Sequence, residues 1–110
     1  MFSCLISCYR NDNPLQLKEA LNSLVRQSLP AQEIVLVEDG KLTEDLYSII
    51  DVYSELLPIK RIPLLTNEGL GNALNIGLQN CSYEIVLRMD ADDVCHPERF
   101  RKQVRFLQDH

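Results

Sequence analysis

No two cysteines in this chain are spaced as a CxxC pair. The four it has, Cys4, Cys8, Cys81 and Cys95, are scattered along the sequence. Such usage reads as small buried hydrophobes in a reducing compartment. Cys4 and Cys8 would share one face of a strand about 13 Å apart, which excludes a disulfide or a common metal. Cys95-His96 is the only adjacent Cys/His pair, and it lacks the second pair a zinc site needs. Basic charge is also short. Eleven Lys and Arg stand against 16 Asp and Glu, for a net charge of −5, which argues against an electrostatic grip on nucleic acid or anionic lipid. The late basic residues Arg99, Arg101, Lys102 and Arg105 then read as a solvated helix face. No apolar run approaches the roughly 18 residues of a membrane span. The apolar start MFSCLIS has no basic leader, so a cytoplasmic protein is expected. Repeats, linkers and low-complexity segments are absent.

What is present is an orderly alternation. The chain has 110 residues, 45% hydrophobic and 25% charged, which suits one small soluble domain or part of a larger one. FSCLISC reads as a first strand. Asn13 caps a helix with Pro14 at its first position and Gln16 placed for a capping box. Leu17, Leu21, Leu24 and Ser28 keep one face of it inward. Ile34 to Val37 is continuous and β-branched, as in a strand covered on both faces. Thr43 caps a second helix whose stripe is Leu46, Ile49, Ile50, Tyr53 and Leu57. IKRIPLLT is a weaker strand, and Pro63 places it at a sheet edge. A third helix follows with Leu70, Ala73, Leu74 and Leu78 inward. EIVLRM is a fourth strand, and Pro97 opens a last helix carrying Phe100, Val104 and Leu107 inward. The expected fold is α/β, a Rossmann-like parallel sheet of about four strands with flanking helices. The chain stops just after a helix, at Asp109-His110, and is expected to be a portion of a longer protein.

In open parallel sheets, ligands bind beyond the carboxyl ends of the strands. Here strand one delivers Ser7, Cys8, Tyr9 and Arg10, and strand two delivers Glu38, Asp39 and Gly40. Strand three delivers Asn67, Glu68 and Gly69, and strand four delivers Asp90, Asp92 and Asp93. The DADD run is the sharpest of these. Three carboxylates within one turn repel one another unless something neutralises them. A divalent cation does so, and hard oxygen donors suit Mg²⁺ or Mn²⁺. Mg²⁺ takes one or two carboxylates plus substrate phosphates, so the turn reads as half a site completed by a diphosphate. Asp39 suits the donor edge of a base or ribose better than a phosphate, or caps the helix after it. Tyr9 offers a flat stacking surface.

Taken in order, these segments resemble the family 2 glycosyltransferases of the GT-A fold. SCYRND is similar to that family's opening strand and tyrosine-bearing loop. ALNSLVRQSLPAQEIVLVEDG is similar to its first helix, glutamine-ended turn and following strand. NEGLGNALNIGL resembles its N-x-G-x-x-x-A-x-N-x-G helix, and RMDADDVCHPERF resembles its DXD segment in the form seen in bacterial polysaccharide and lipopolysaccharide enzymes. The resemblance covers nearly the whole chain and implies that residues 1–110 are the N-terminal nucleotide-sugar-binding portion, ending before the acceptor-binding half. It implies that Asp39 contacts the uracil or other base and that Tyr9 lines the same pocket. Asn67 and Gly69 would border the nucleotide, Asp90 would sit near the ribose and support the loop, and Asp92 would lead the metal ligands with Asp93 nearby as ligand or water holder. The cofactor implied is Mn²⁺ or Mg²⁺. The partners implied are a nucleotide-sugar donor, UDP-linked first of all, and a saccharide or lipid-linked acceptor. Transfer would invert the anomeric carbon, with the general base beyond His110, so this portion alone would be inactive. The full-length protein would associate peripherally with the inner face of the membrane. The sequence departs from the pattern at Arg10, Glu38, Lys41 and Asn72.

Two other readings compete. D-x-D-x-V after an apolar strand, from Asp90 to Val94, also fits a haloacid-dehalogenase-type phosphatase with Asp90 as nucleophile and Asp92 as acid/base. That family carries the motif on its first strand, whereas here it ends the fourth. A sugar-nucleotide pyrophosphorylase needs a glycine-rich loop after strand one, which is absent. The remaining alternative is a non-catalytic nucleotide-binding or interaction module.

Overall fold

The computed structural model describes residues 1–109; the expected domain end at His110 lies one residue outside that range. The elements run β1 (Phe2–Cys8), α1 (Pro14–Val25), β2 (Glu33–Glu38), α2 (Glu44–Ser54), β3 (Ile59–Pro63), α3 (Leu70–Gln79), β4 (Ile85–Asp90) and α4 (Arg99–Asp109). The strands form one parallel sheet in the order β3-β2-β1-β4, so the α/β Rossmann-like expectation holds, with β3 at an edge. Strand order runs outward from β1 to β3 and then returns past it to β4. The break falls at β1, where such sheets open a crevice at their carboxyl ends.

Alternation along each strand divides the core in two. Phe2, Cys4, Ile6 and Cys8 of β1, Ile34 and Leu36 of β2, and Leu87 and Met89 of β4 face one side. There they meet Leu17 and Leu21 of α1, Leu46 and Ile50 of α2, and Phe100 and Val104 of α4. Phe2 and Phe100 pack edge to face, their centroids 5.4 Å apart. On the other side Leu5, Val35 and Val37 pack with Ala73 of α3. Here α3 comes close because Gly77 is small; a Cβ at Gly77 would overlap the side chains of Leu5 and Val37.

The helix starts follow their caps. Asn13 Oδ1 accepts the Gln16 N–H at 3.1 Å, and Thr43 Oγ1 accepts the Leu46 N–H at 3.3 Å. Five details differ from the expectation. Helix α2 stops at Ser54, so Leu57 lies beyond it while still packing against the core. Helix α1 stops at Val25, so Ser28 lies beyond it and is exposed, while Ser23 and Gln27 are buried instead. Leu70 and Leu78 are 54% and 52% exposed, because α3 meets the sheet along Ala73 and Gly77, with only Leu74 of its leucines packed against that core. Leu107 is exposed too, since the contact of α4 with the core ends at Val104. Pro97 lies in a turn before α4, which begins at Arg99. Among the described residues no helix is long and apolar enough to cross a membrane.

Candidate functional site

The loops after β1, β2, β3 and β4 meet around a cleft of about 400 Å³. Each is shaped by its own chemistry. After β1, the chain turns from Tyr9 to Asp12. The Asp12 N–H donates to the Tyr9 carbonyl at 3.0 Å, and Asp12 Oδ2 accepts the Tyr9 N–H at 2.9 Å. This Asx-type closure fixes the backbone of Tyr9, whose ring remains exposed.

After β2, Asp39 is only 4% exposed. Its N–H donates to the Cys8 carbonyl at 2.8 Å, which continues the β1–β2 ladder past the last strand residue. Its Oδ1 accepts the Glu68 N–H at 2.6 Å, and its carbonyl accepts from Asn67 Nδ2 at 3.3 Å. Asp39 therefore ties the loop after β3 to the end of β2. Gly40 makes that possible. Its φ is +83°, a region L side chains avoid, and a Cβ there would lie 2.8 Å from the Asn67 nitrogen. Gly69 opens α3 with φ +86° and ψ 157°, a conformation nearly confined to glycine. Glu38, the acid before Asp39, is turned away from the cleft's chemistry: it is buried and paired with Arg61 of β3, which also holds Asp51. The two carboxylates push the Arg61 guanidinium above its ordinary pKa, the Glu38 hydrogen bond contributing most.

After β4, the acids differ in what they already hold. The Asp93 N–H donates to the Asp90 carbonyl at 3.0 Å, and Asp93 Oδ2 accepts the Asp90 N–H at 2.8 Å. Asp90 Oδ1 accepts from Arg88 Nη2 at 3.1 Å. The Asp92 carboxylate is exposed and has no hydrogen-bond or ion-pair partner among the described residues. One carboxylate oxygen from each of the three lies within 4.8 Å of the others. Hard oxygen donors so grouped, with one acid unpartnered, fit Mg²⁺ or Mn²⁺ and suit no soft metal.

Of the residues singled out in the sequence, Tyr9, Asp39, Asn67, Gly69, Asp90 and Asp92 all line the cleft. Asp93 does not line it; its carboxylate closes the turn from behind. Asp12 lines the cleft as well and was missed, although its place in an RNDNP turn was a signal for side-chain-to-backbone bonding. Burial pushes the thiols of Cys4 and Cys8 well above the ordinary range, helped at Cys8 by the Asp12 charge. Neither is a thiolate nucleophile at neutral pH.

Comparison with known proteins matches residues 3–110 to the family model described as Glycosyl transferase family 2. The chain is 48% identical over 110 residues to the amylovoran biosynthesis glycosyltransferase AmsE of Erwinia amylovora, covering all of this chain and 41% of that protein. It is 41% identical over 106 residues to an Escherichia coli UDP-Gal:alpha-D-GlcNAc-diphosphoundecaprenol beta-1,3-galactosyltransferase, covering 96% of this chain and 38% of that one. The chain thus spans about two-fifths of the length of these relatives. Among solved structures, S. aureus TarS 1-349 in complex with UDP-GlcNAc superposes with a TM-score of 0.86 at 31% identity. That match covers 99% of this chain and 31% of TarS 1-349.

Proposed function

The chain belongs to glycosyl transferase family 2, and on that premise we propose that it is the donor-binding portion of an enzyme that transfers a sugar from a UDP-sugar to a saccharide or lipid-linked acceptor. Membership of the family sets aside the phosphatase reading of the DADD turn. The observation that carries the proposal is the cleft itself. A flat ring at Tyr9, a buried carboxylate at Asp39 and the acids Asp90 and Asp92 stand around one opening, and a carboxylate oxygen of Asp93 lies within 4.8 Å of those of the other two turn acids.

Each wall suits one part of the donor. Tyr9 provides a stacking face for the base. Uracil presents one N–H donor, and Asp39, with one oxygen engaged by Glu68, offers the other as acceptor. Asn67 and Gly69 border the same wall. Asp90 approaches the ribose and supports the turn. The diphosphate would lie toward Asp92, and Asp92 with Asp93 would hold a divalent cation. Bound there, Mn²⁺ or Mg²⁺ supplies Lewis-acid stabilisation of the charge on the departing diphosphate. This chain's residues bind and orient the donor. The acceptor hydroxyl is deprotonated by a carboxylate beyond His110 and attacks the anomeric carbon with inversion.

UDP is favoured because UDP-Gal is named for the E. coli relative and UDP-GlcNAc for the TarS complex. A lipid-linked acceptor is favoured because the same E. coli relative acts on a diphosphoundecaprenol-linked sugar. On this reading the full-length enzyme works in the cytoplasm, at the inner face of the membrane.

Titration of the full-length protein with UDP, with and without Mn²⁺, tests the reading. Binding of UDP that strengthens with Mn²⁺ and exceeds that of other nucleoside diphosphates is the expected result. No cation-dependent binding of any nucleoside diphosphate would leave a non-catalytic module as the better account.

A further inference from the structure

Two buried polar side chains hold the segment that follows the acidic turn, and neither reaches the cleft. Ser23, in the last turn of α1, and Gln27, just past its end, are 1% and 7% exposed. Ser23 Oγ donates to the Ala20 carbonyl at 2.6 Å and accepts the Cys95 N–H at 3.0 Å. Gln27 Nε2 donates to the His96 carbonyl at 2.8 Å and to the Ser23 carbonyl at 3.3 Å. Gln27 Oε1 accepts the Phe100 N–H at 3.1 Å, and the Ser28 N–H donates to the Pro97 carbonyl at 2.9 Å. The backbone groups bound in this way run from Cys95 to Phe100, the stretch that joins Asp93 to α4.

That stretch has no sheet or helix ladder of its own until Arg99. Its buried backbone groups need partners, and α1 supplies them from the side. The Phe100 N–H is one of the donors that a helix start leaves unpaired. Leu24 and Phe100, whose backbone groups bond Gln27, belong to the buried core. What requires an amide is the loop backbone, through both a donor and an acceptor at once. The acidic turn is thus held at two ends, by the β4 ladder before Asp90 and by α1 after Asp93.

We propose that Gln27, assisted by Ser23, is a positioning residue for the acidic turn, setting the spacing of Asp90, Asp92 and Asp93 and through it the affinity for the divalent cation. This rests on the reading of that turn as a cation site. Groups behind a metal's ligands commonly change affinity by about 10- to 100-fold when altered.

Gln27→Met keeps the volume and removes both polar contacts. Gln27→Glu keeps an acceptor for the Phe100 N–H but turns an oxygen toward the His96 carbonyl. Both are made in the full-length protein and examined by hydrogen exchange of residues 90–98 and by Mn²⁺ binding in the presence of UDP, followed by the electron paramagnetic signal of free Mn²⁺. The expected result for Gln27→Met is faster exchange confined to residues 90–98 and Mn²⁺ affinity lowered about tenfold or more. Gln27→Glu should fall between it and the unaltered protein. Ser23→Ala, which removes one hydroxyl, gives a smaller change in the same direction and serves if Gln27→Met does not fold. Unchanged Mn²⁺ affinity with a loosened loop overturns the inference and leaves the cation site standing. Failure of the unaltered protein to bind Mn²⁺ at all refutes the cation site, and the inference falls with it.

Discussion

Replacing Asp39 separates a duty seen in the fold from one proposed for the same carboxylate. Its Oδ1 holds the Glu68 N–H at 2.6 Å and so fixes the loop bearing Asn67 and Gly69. Its other oxygen is the proposed acceptor for uracil. Asp39→Asn retains a carbonyl oxygen for Glu68 but gives up the charge and replaces the second acceptor with an N–H₂. Hydrogen bonds to charged groups contribute about 1.5–3 kcal/mol, and about 1.4 kcal/mol is tenfold in affinity. The Asn variant of the full-length protein should therefore bind UDP roughly 10- to 100-fold more weakly, with a nearly unchanged melting temperature. Asp39→Ala removes both duties. It should lose at least as much UDP affinity and also about 1 kcal/mol of stability, because the Glu68 N–H is left to water. Calorimetric titration with UDP and thermal melting read the two effects independently. If Asp39→Asn binds UDP as the unaltered protein does, the carboxylate serves only the loop, and the base must be recognised elsewhere. If both variants lose binding in strict proportion to stability, the same conclusion follows.

Other substitutions probe the remaining walls. Asp92→Asn should lower Mn²⁺ affinity tenfold or more without moving the melting temperature, since Asp92 has no hydrogen-bond or ion-pair partner among the described residues. Asp93→Asn should instead cost about 1 kcal/mol of stability by weakening its bond to the Asp90 N–H, and equal melting of the two variants would contradict the division of labour in the turn. Gly40→Ala meets backbone strain of about 1–2 kcal/mol and a close contact with Asn67 that adds about 1–3 kcal/mol; a loss under about 1 kcal/mol in denaturant unfolding would refute that accounting. Burial alone would raise the pKa of Glu33, but hydrogen bonds from the Ser82 N–H and from the Ser3 and Ser82 hydroxyls, with the Lys60 charge, hold it below its ordinary value of 4.5. Its contribution to stability is thus fully present above about pH 4.5 and is lost as pH falls through the lower folded value. Glu33→Gln should flatten the acid limb of the stability profile, and an unchanged limb would show that other carboxylates set it.

The elements were legible because local and long-range signals agreed. Asn13-Pro14 and Thr43 start their helices, Pro63 marks an edge strand, and the unbroken Ile34–Val37 run announces burial on both faces. The rim was legible for a simpler reason: parallel strands deliver their carboxyl ends to one side, so residues far apart in sequence could be grouped before their positions were known. What escaped notice depends on pairings that no periodicity encodes. Ser23 and Gln27 look like ordinary polar residues at a helix end, and their partners, from Cys95 to Phe100, lie about 70 positions away. Glu38 looked like a rim acid, yet Arg61 on the neighbouring strand claims it. The leucines of α3 fit a helical stripe, but periodicity does not say how wide the contact is, and Gly77 made it narrow.

The crowding of acids in the DADD turn is largely resolved before any cation arrives. Arg88 and Asp90 are two residues apart on one strand, hence on the same face, and they pair there. Asp93 spends an oxygen on the Asp90 N–H, so its charge is balanced by the backbone of the acid it would otherwise repel. Only Asp92 is left without a partner among the described residues. Two of the three acids thus have structural duties that fix the third. If the turn holds the proposed cation, Asp92 is the acid left free to lead its coordination, and the geometry depends on whatever holds the two ends of the turn. One end is β4. The other is the amide of Gln27, which makes the end of α1 part of the site even though it never approaches the donor.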